Sequence, residues 1–251
     1  MRCLGICGVL FCCPAAVWAA PVTVSLPASK DNTLYEDANG TLSDGVGPHL
    51  FAGRTAQSPG ASIRRGLIAF NLSSIPAGAT IVQVTLTLNV SKTASPTATN
   101  VELHRVSRNW GEGTSNSGDP GGSGAFSTPN DATWKHAIYS SVNWTNPGGD
   151  FVSGASAVSS RSGTGSETWS GAGMVADVQG WVGNSATNFG WELIGNESIP
   201  VTSYRFDTRE NFDPAVQPAL SVTYNVPEPV GLALAALLLP MMARRRSRGG
   251  R

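Results

Sequence analysis

Arg205, Asp207 and Arg209 recur at every second position of the stretch RFDTREN. On a β-strand that spacing puts the three side chains on one face and Tyr204 and Phe206 on the other. Two guanidinium forks around a carboxylate can build a cross-strand ion-pair ladder over a sheet, or offer a surface that binds carboxylates and hydroxyls. A second group, Asp31, Asn32, Glu36, Asp37, Asn39 and Asp44, crowds one short segment. Hard oxygen donors at close spacing suit Ca²⁺, so Asp31, Glu36, Asp37 and Asp44 are candidates for a structural calcium site. Their acid and glycine spacing is not that of an EF-hand loop, and turn formation by Asx side chains is the other account. Tryptophan is the third signal. Trp110, Trp134, Trp144 and Trp169 lie in loop-rich sequence. An exposed indole can stack a pyranose ring, which makes Trp110, Trp134 and Trp144 ligand candidates. Plugging of loops against a core is the competing role.

Catalytic signals are weak. His49, His104 and His136 stand apart, and neither an HExxH nor a GxSxG pattern occurs. Acids are plentiful, but no pair is placed by a recognisable glycosidase arrangement, so a non-enzyme is expected. All four cysteines, Cys3, Cys7, Cys12 and Cys13, precede residue 14. Once that segment is removed the chain has no thiol for disulfides, zinc or nucleophilic attack. Charge argues against nucleic acid. From Ala20 to Pro227 the chain carries 11 basic and 16 acidic residues, whereas nucleic-acid binding needs a basic face.

The elements that must position these residues are mostly strands. Val82, Val84, Leu86, Leu88 and Val90 alternate with Gln83, Thr85, Thr87 and Asn89, a period of two that marks a strand with one wet face. Leu220, Val222 and Tyr224 repeat the pattern, as do Phe189, Trp191 and Leu193, then Ile68, Phe70 and Leu72, and finally Val101, Leu103 and Arg105. Met174, Val175, Val178, Trp181 and Val182 recur instead at helical spacing before Gly183, which predicts one short helix. Residues 107–166 are rich in Gly, Ser, Pro and Asn and predict long surface loops, with a short strand or two near Thr133–Tyr139. The expected fold is all-β: a jelly-roll-like antiparallel β-sandwich over residues 20–225, with one short helix and long Gly/Ser-rich loops.

Both ends carry sorting signals. Residues 1–19 combine Arg2, an apolar run and small residues at Ala19 and Ala20, the pattern of a secretory signal cut by signal peptidase. At the other end, residues 226–251 begin with Val226, Pro227, Glu228 and Pro229. The apolar run VGLALAALLLPMMA (230–243) follows, then a basic end containing Arg244, Arg245 and Arg246. Fourteen helical residues span about 21 Å, barely enough to enter a bilayer, and the arginines hold the end on the cytoplasmic side. These three parts in this order resemble the PEP-CTERM sorting signal of Gram-negative exopolysaccharide producers. The resemblance implies processing by an exosortase near the PEP residues and a transient inner-membrane association through the tail.

The domain between the signals resembles the DNRLRE family, also described as disaggregatase-related. The matching pieces are DNTLYED (31–37), RRGLIAFNLSSIPAGATI (64–81), WGEGT (110–114), DATW (131–134), NPGGDF (146–151), MVADVQGWV (174–182) and RFDTREN (205–211). RFDTREN departs from the family's name motif in its first half. The resemblance implies a jelly-roll-like sandwich and a role like that of carbohydrate-binding modules. The expected protein is thus exported through the inner membrane and sits at the cell surface or in the extracellular matrix after tail cleavage. It is expected to be non-catalytic, with exopolysaccharide as its candidate partner. Cleavage of polysaccharide by a lyase or hydrolase mechanism, and a purely structural adhesin or scaffold, are the alternatives.

Overall fold

The computed structural model describes residues 20–226 except residue 96. The signal segment 1–19, Pro227, Glu228 and Pro229 of the sorting motif, the apolar run 230–243 and Arg244, Arg245 and Arg246 lie outside the described residues. In chain order the strands are β1 (Val22–Tyr35), β2 (Leu42–Ser43), β3 (His49–Arg54), β4 (Ile63–Phe70), β5 (Thr80–Thr93), β6 (Thr99–Arg105), β7 (Ala125–Phe126), β8 (His136–Ile138), β9 (Val142–Asn143), β10 (Ala157–Arg161) and β11 (Gly165–Ser170). The helix α1 (Ala172–Gly183) follows, then β12 (Trp191–Ile194), β13 (Tyr204–Asp207) and β14 (Ala219–Asn225). Among the described residues no helix is long and apolar enough to cross a membrane.

The strands build the all-β sandwich expected from the sequence. In the first sheet β5 is central. β14 and β13 lie end to end along one of its edges, β11 pairs with the other, and β3 flanks β13. In the second sheet the order is β1, β4, β12, β6, β10. Two strands belong to both sheets. β1 pairs with β14 over Val22–Pro27 and with β4 over Ala28–Tyr35, changing sheets at a register break beside Ser29. β3 pairs with β13 up to Ala52 and with β4 from Gly53. Gly53 has a φ of 108°, and a Cβ there would meet the Thr202 carbonyl at 2.8 Å. Only glycine tolerates that bend.

The alternating runs face inward as expected. Val84, Leu86, Leu88, Val90, Leu220, Val222, Tyr204 and Phe206 meet Ile68, Phe70, Trp191, Leu193, Val101 and Leu103 in one core. The helix closes an end of that core through Met174, Val178 and Trp181, and the Trp181 and Trp191 rings pack edge to face at 4.7 Å. Val82 is a correction. It is half exposed, because Thr223 pairs with Gln83 and Tyr224 with Ile81, which leaves Val82 as the extra residue of a bulge. Phe189 is another: it precedes β12 and packs on the opposite side of the second sheet from Trp191.

Residues 107–151 do not hang from the sandwich as surface loops. Most of them fold onto the outer face of the second sheet and form a second core there, while residues 117–123 reach across to the outer face of the first sheet. Leu34, Leu67 and Ala69 of the sheet contact Val106, Trp110, Ala132, Ala137 and Trp144 of the covering layer. The short pair β8 and β9 lies in that layer, and β8 falls within Thr133–Tyr139, where a short strand was expected.

Candidate functional site

The outer face of the first sheet, at β13, β3 and β5, carries a candidate site. β13 turns Tyr204 and Phe206 inward and Arg205 and Asp207 outward, as period two requires. Arg205 pairs across to Phe51 on β3 and to Lys92 on β5. Above these residues runs the segment 120–123, and the cleft between has a volume of about 250 Å³. Phe51 forms its floor, Lys92 and Arg205 supply two cations, and Thr55, Thr93, Ser123 and Ser203 add hydroxyls. Phe51 is held from behind by Tyr35, with ring centroids 6.5 Å apart.

A polar network backs the cleft. Arg205 donates through Nε to Ser91 Oγ at 3.1 Å and through Nη1 to Asp119 Oδ1 at 2.8 Å. His49 Nε2 lies 3.4 Å from Asp119 Oδ1, and His49 Nδ1 lies 3.2 Å from Asp207 Oδ1. Asn89 Nδ2 donates to Asp207 Oδ2 at 2.6 Å. Burial lowers the pKa of His49, and the Arg205 guanidinium lowers it further against the pull of Asp207 and Asp119. The cations that line the cleft are Arg205 and Lys92.

Other candidates fall elsewhere. β13 ends at Asp207, and Arg209 turns away from Arg205. Its Nε and Nη2 donate to Glu112 at 3.0 and 2.7 Å, Nη2 is 2.9 Å from Glu210 Oε1, and its backbone N–H donates to Asp31 Oδ2 at 3.1 Å. Three residues at period two thus become a pair on the sheet face and a third in a separate ion cluster. Trp110 and Trp144 are enclosed in the second core, with Nε1 donating to the Phe189 carbonyl at 2.8 Å and to the Thr133 carbonyl at 2.9 Å. Neither offers a face to a sugar. Trp134 is half-buried beneath the Arg65 guanidinium, 5.2 Å from its ring centroid. Trp110 and Trp144 plug the covering layer, since each indole buries a large apolar area and finds an acceptor for its one donor.

The four calcium candidates do not converge. Asp31 is fully buried facing Arg209, and burial, then Glu210, pushes its pKa well above the carboxylate range. Glu36 Oε2 accepts the Ser62 and Ile63 amides at 2.8 and 2.9 Å. Asp37 accepts the Asn39 and Thr41 amides of its own turn, at 3.0 and 2.7 Å. Asp44 accepts the Ser117 amide and hydroxyl at 2.7 and 2.5 Å. Among the described residues no three His, Cys, Asp or Glu side chains are placed to hold a metal ion. Each of the four carboxylates is instead engaged by its own neighbours.

Beyond the cleft, a buried pair sits under the covering layer. Arg65 meets Glu197 with Nε and Nη2 at 2.7 and 3.0 Å and Glu192 with Nη1 at 3.5 Å. Glu192 is fully buried, and its Oε2 has no partner. His104 and His136 are engaged locally, His104 with the Val152 carbonyl and Glu102, His136 with Thr133 Oγ1.

Reading the sequence missed Phe51, Lys92, Ser91 and Asp119. Lys92 carried a signal: it is one of three lysines in the chain, at the end of the most regular alternating run. Compared with known proteins, the chain matches no family model and no curated protein.

Proposed function

We propose that the protein is an exported, non-catalytic β-sandwich of the cell surface or extracellular matrix that holds a polysaccharide strand in the cleft over Phe51. The observation that carries the binding is the convergence of Arg205 and Lys92 in one cleft on the outer face of the first sheet, beside an aromatic floor and several hydroxyls. Hydroxyls of a sugar ring find donors and acceptors there, above the buried Phe51 ring that floors the cleft. The two cations favour a strand that bears acidic groups, although the domain as a whole is acidic. Export by signal peptidase and an exosortase is supported by the signal-like residues 1–19 and by the VPEP, apolar and arginine order of residues 226–251.

Replacing both cations, Arg205→Gln with Lys92→Gln, should abolish retention on acidic polysaccharide in affinity electrophoresis while leaving the thermal midpoint nearly unchanged. Equal retention of the variant would remove the cleft from consideration. For sorting, Pro229→Ala combined with removal of the arginine end should leave the protein in the inner membrane. Unaltered release to the medium would refute the exosortase reading.

A second reading, cleavage of the polymer, draws on one observation. His49 rests against Asp207 and adjoins Arg205, and burial lowers its pKa, which suits a group that accepts a proton next to a bound acidic sugar. Incubation with the retained polymer, followed by an assay for new unsaturated or reducing ends, separates the two. New ends lost in His49→Gln would establish catalysis.

A further inference from the structure

Asp119 has an unusual position for a residue beside a binding cleft. Its side chain is 72% exposed, yet its Oδ1 contacts both Arg205, at 2.8 Å, and His49. The segment around it is anchored very differently at its base and its tip. At the base, Asp44 holds the Ser117 amide and hydroxyl, Tyr35 donates to the Gly121 carbonyl at 2.8 Å, and Arg64 donates to the Gly122 carbonyl at 3.2 Å. Asp44, Tyr35 and Arg64 are all buried. At the tip, the side-chain anchor is the solvent-facing Asp119 carboxylate. A strap fixed by buried groups and closed by an exposed ion pair opens at the ion pair first, because solvent competes for it.

We infer that Asp119 is an internal stand-in for ligand: its carboxylate occupies the Arg205 guanidinium in the free protein and leaves when an acidic saccharide binds the cleft. This deepens, and rests on, the reading of the cleft as a polysaccharide site. Two carboxylates competing for one guanidinium lower each other's apparent affinity, so the strap weakens binding and restricts it to ligands that can replace the lost charge. A neutral glucan cannot make that replacement. The base of the strap keeps its buried contacts when the tip moves, so opening does not require the second core or the sandwich to rearrange.

The test compares the full-length protein with Asp119→Asn, which keeps the shape of the tip and removes its charge. The probe is polygalacturonate, with dextran as the neutral polymer. Asp119→Asn should bind polygalacturonate about two- to fivefold tighter than the unmodified protein, the range expected for releasing one partly exposed ion pair. The gain should vanish when Arg205→Gln is added, and neither protein should gain affinity for dextran. Equal or weaker binding by Asp119→Asn, with binding still abolished by Arg205→Gln, would overturn the stand-in role and leave the cleft intact as a site. No binding of either polymer by any of the proteins would overturn the site itself and the stand-in role with it.

Discussion

Glu192 should make the protein lose stability as pH rises. Its carboxyl is fully buried on the outward face of β12, beneath the covering layer. Burial pushes its pKa from 4.5 to about 8, against the pull of Arg65 and with help from Glu197. Below the unfolded value of 4.5 both folded and unfolded chains hold the proton, and Glu192 carries no penalty. Between 4.5 and about 8 the unfolded chain ionises while the folded chain does not, so stability falls with pH. Above about 8 the loss is complete. At about 1.4 kcal/mol per pH unit, the whole interval is worth on the order of 4–5 kcal/mol, and solvent penetration lowers that toward about 3. Arg65 does not lose its counter-charge when Glu192 is neutral, because Glu197 holds it with two hydrogen bonds. Glu192→Gln keeps the shape and cannot ionise. It should lie within about 1 kcal/mol of the unmodified protein near pH 5 and exceed it by about 3–5 kcal/mol at pH 9, a difference of roughly 10 °C in thermal midpoint for a domain of this size. Thermal unfolding of both proteins across pH 5–9, followed by circular dichroism, measures the difference curve directly. Other buried carboxylates, Asp31 and Asp44 among them, titrate in both proteins and cancel in the difference. Parallel profiles for the two proteins would refute the reasoning.

Other perturbations have equally definite outcomes. Trp169 is buried between the sheets, packs on Phe206 with centroids 6.0 Å apart and donates to the Val101 carbonyl at 2.8 Å. Trp169→Ala should destabilise by about 3–5 kcal/mol in urea unfolding, and a loss under 1 kcal/mol would contradict the packing described. Gly190 has a φ of 76°, and a Cβ there would lie 2.0 Å from the Ile68 carbonyl. Gly190→Ala should therefore cost about 2 kcal/mol or more, and an unchanged midpoint would argue against the turn that leads into β12. In the cleft, Arg205→Gln with Lys92→Gln should remove polysaccharide retention, while Asp119→Asn should strengthen it, both read by affinity electrophoresis.

Much of the sandwich could be read from residue order. Period two in residues 83–90 and 220–224 names the inward face of β5 and β14, because a pleated strand offers one face to the core wherever only one face is buried. The helix at Met174–Trp181 was readable for the analogous reason at period 3.6. Arg205 and Asp207 on one face followed from the same rule, and the structure keeps them there. Arg209 did not follow, because a period predicts a face only while the strand continues, and β13 ends at Asp207. Val82 failed because a bulge inserts one residue and has no composition signature of its own.

The sequence by itself determined the inward and outward sides of the long strands, the position of the helix and the polar character of the region between residues 107 and 151. All of these are local properties, set by side-chain period, glycine and proline. Only the tertiary structure decided that this polar region folds back as a second layer, which encloses Trp110 and Trp144 and isolates Glu192 from water. Nor could local order bring Phe51, Lys92, Arg205 and Asp119 together. They lie on three strands and a strap far apart in the chain, and cross-strand register between distant segments is fixed by the packing of the whole core. That packing also brings the strap over the first sheet's outer face, and the cleft lies between the two.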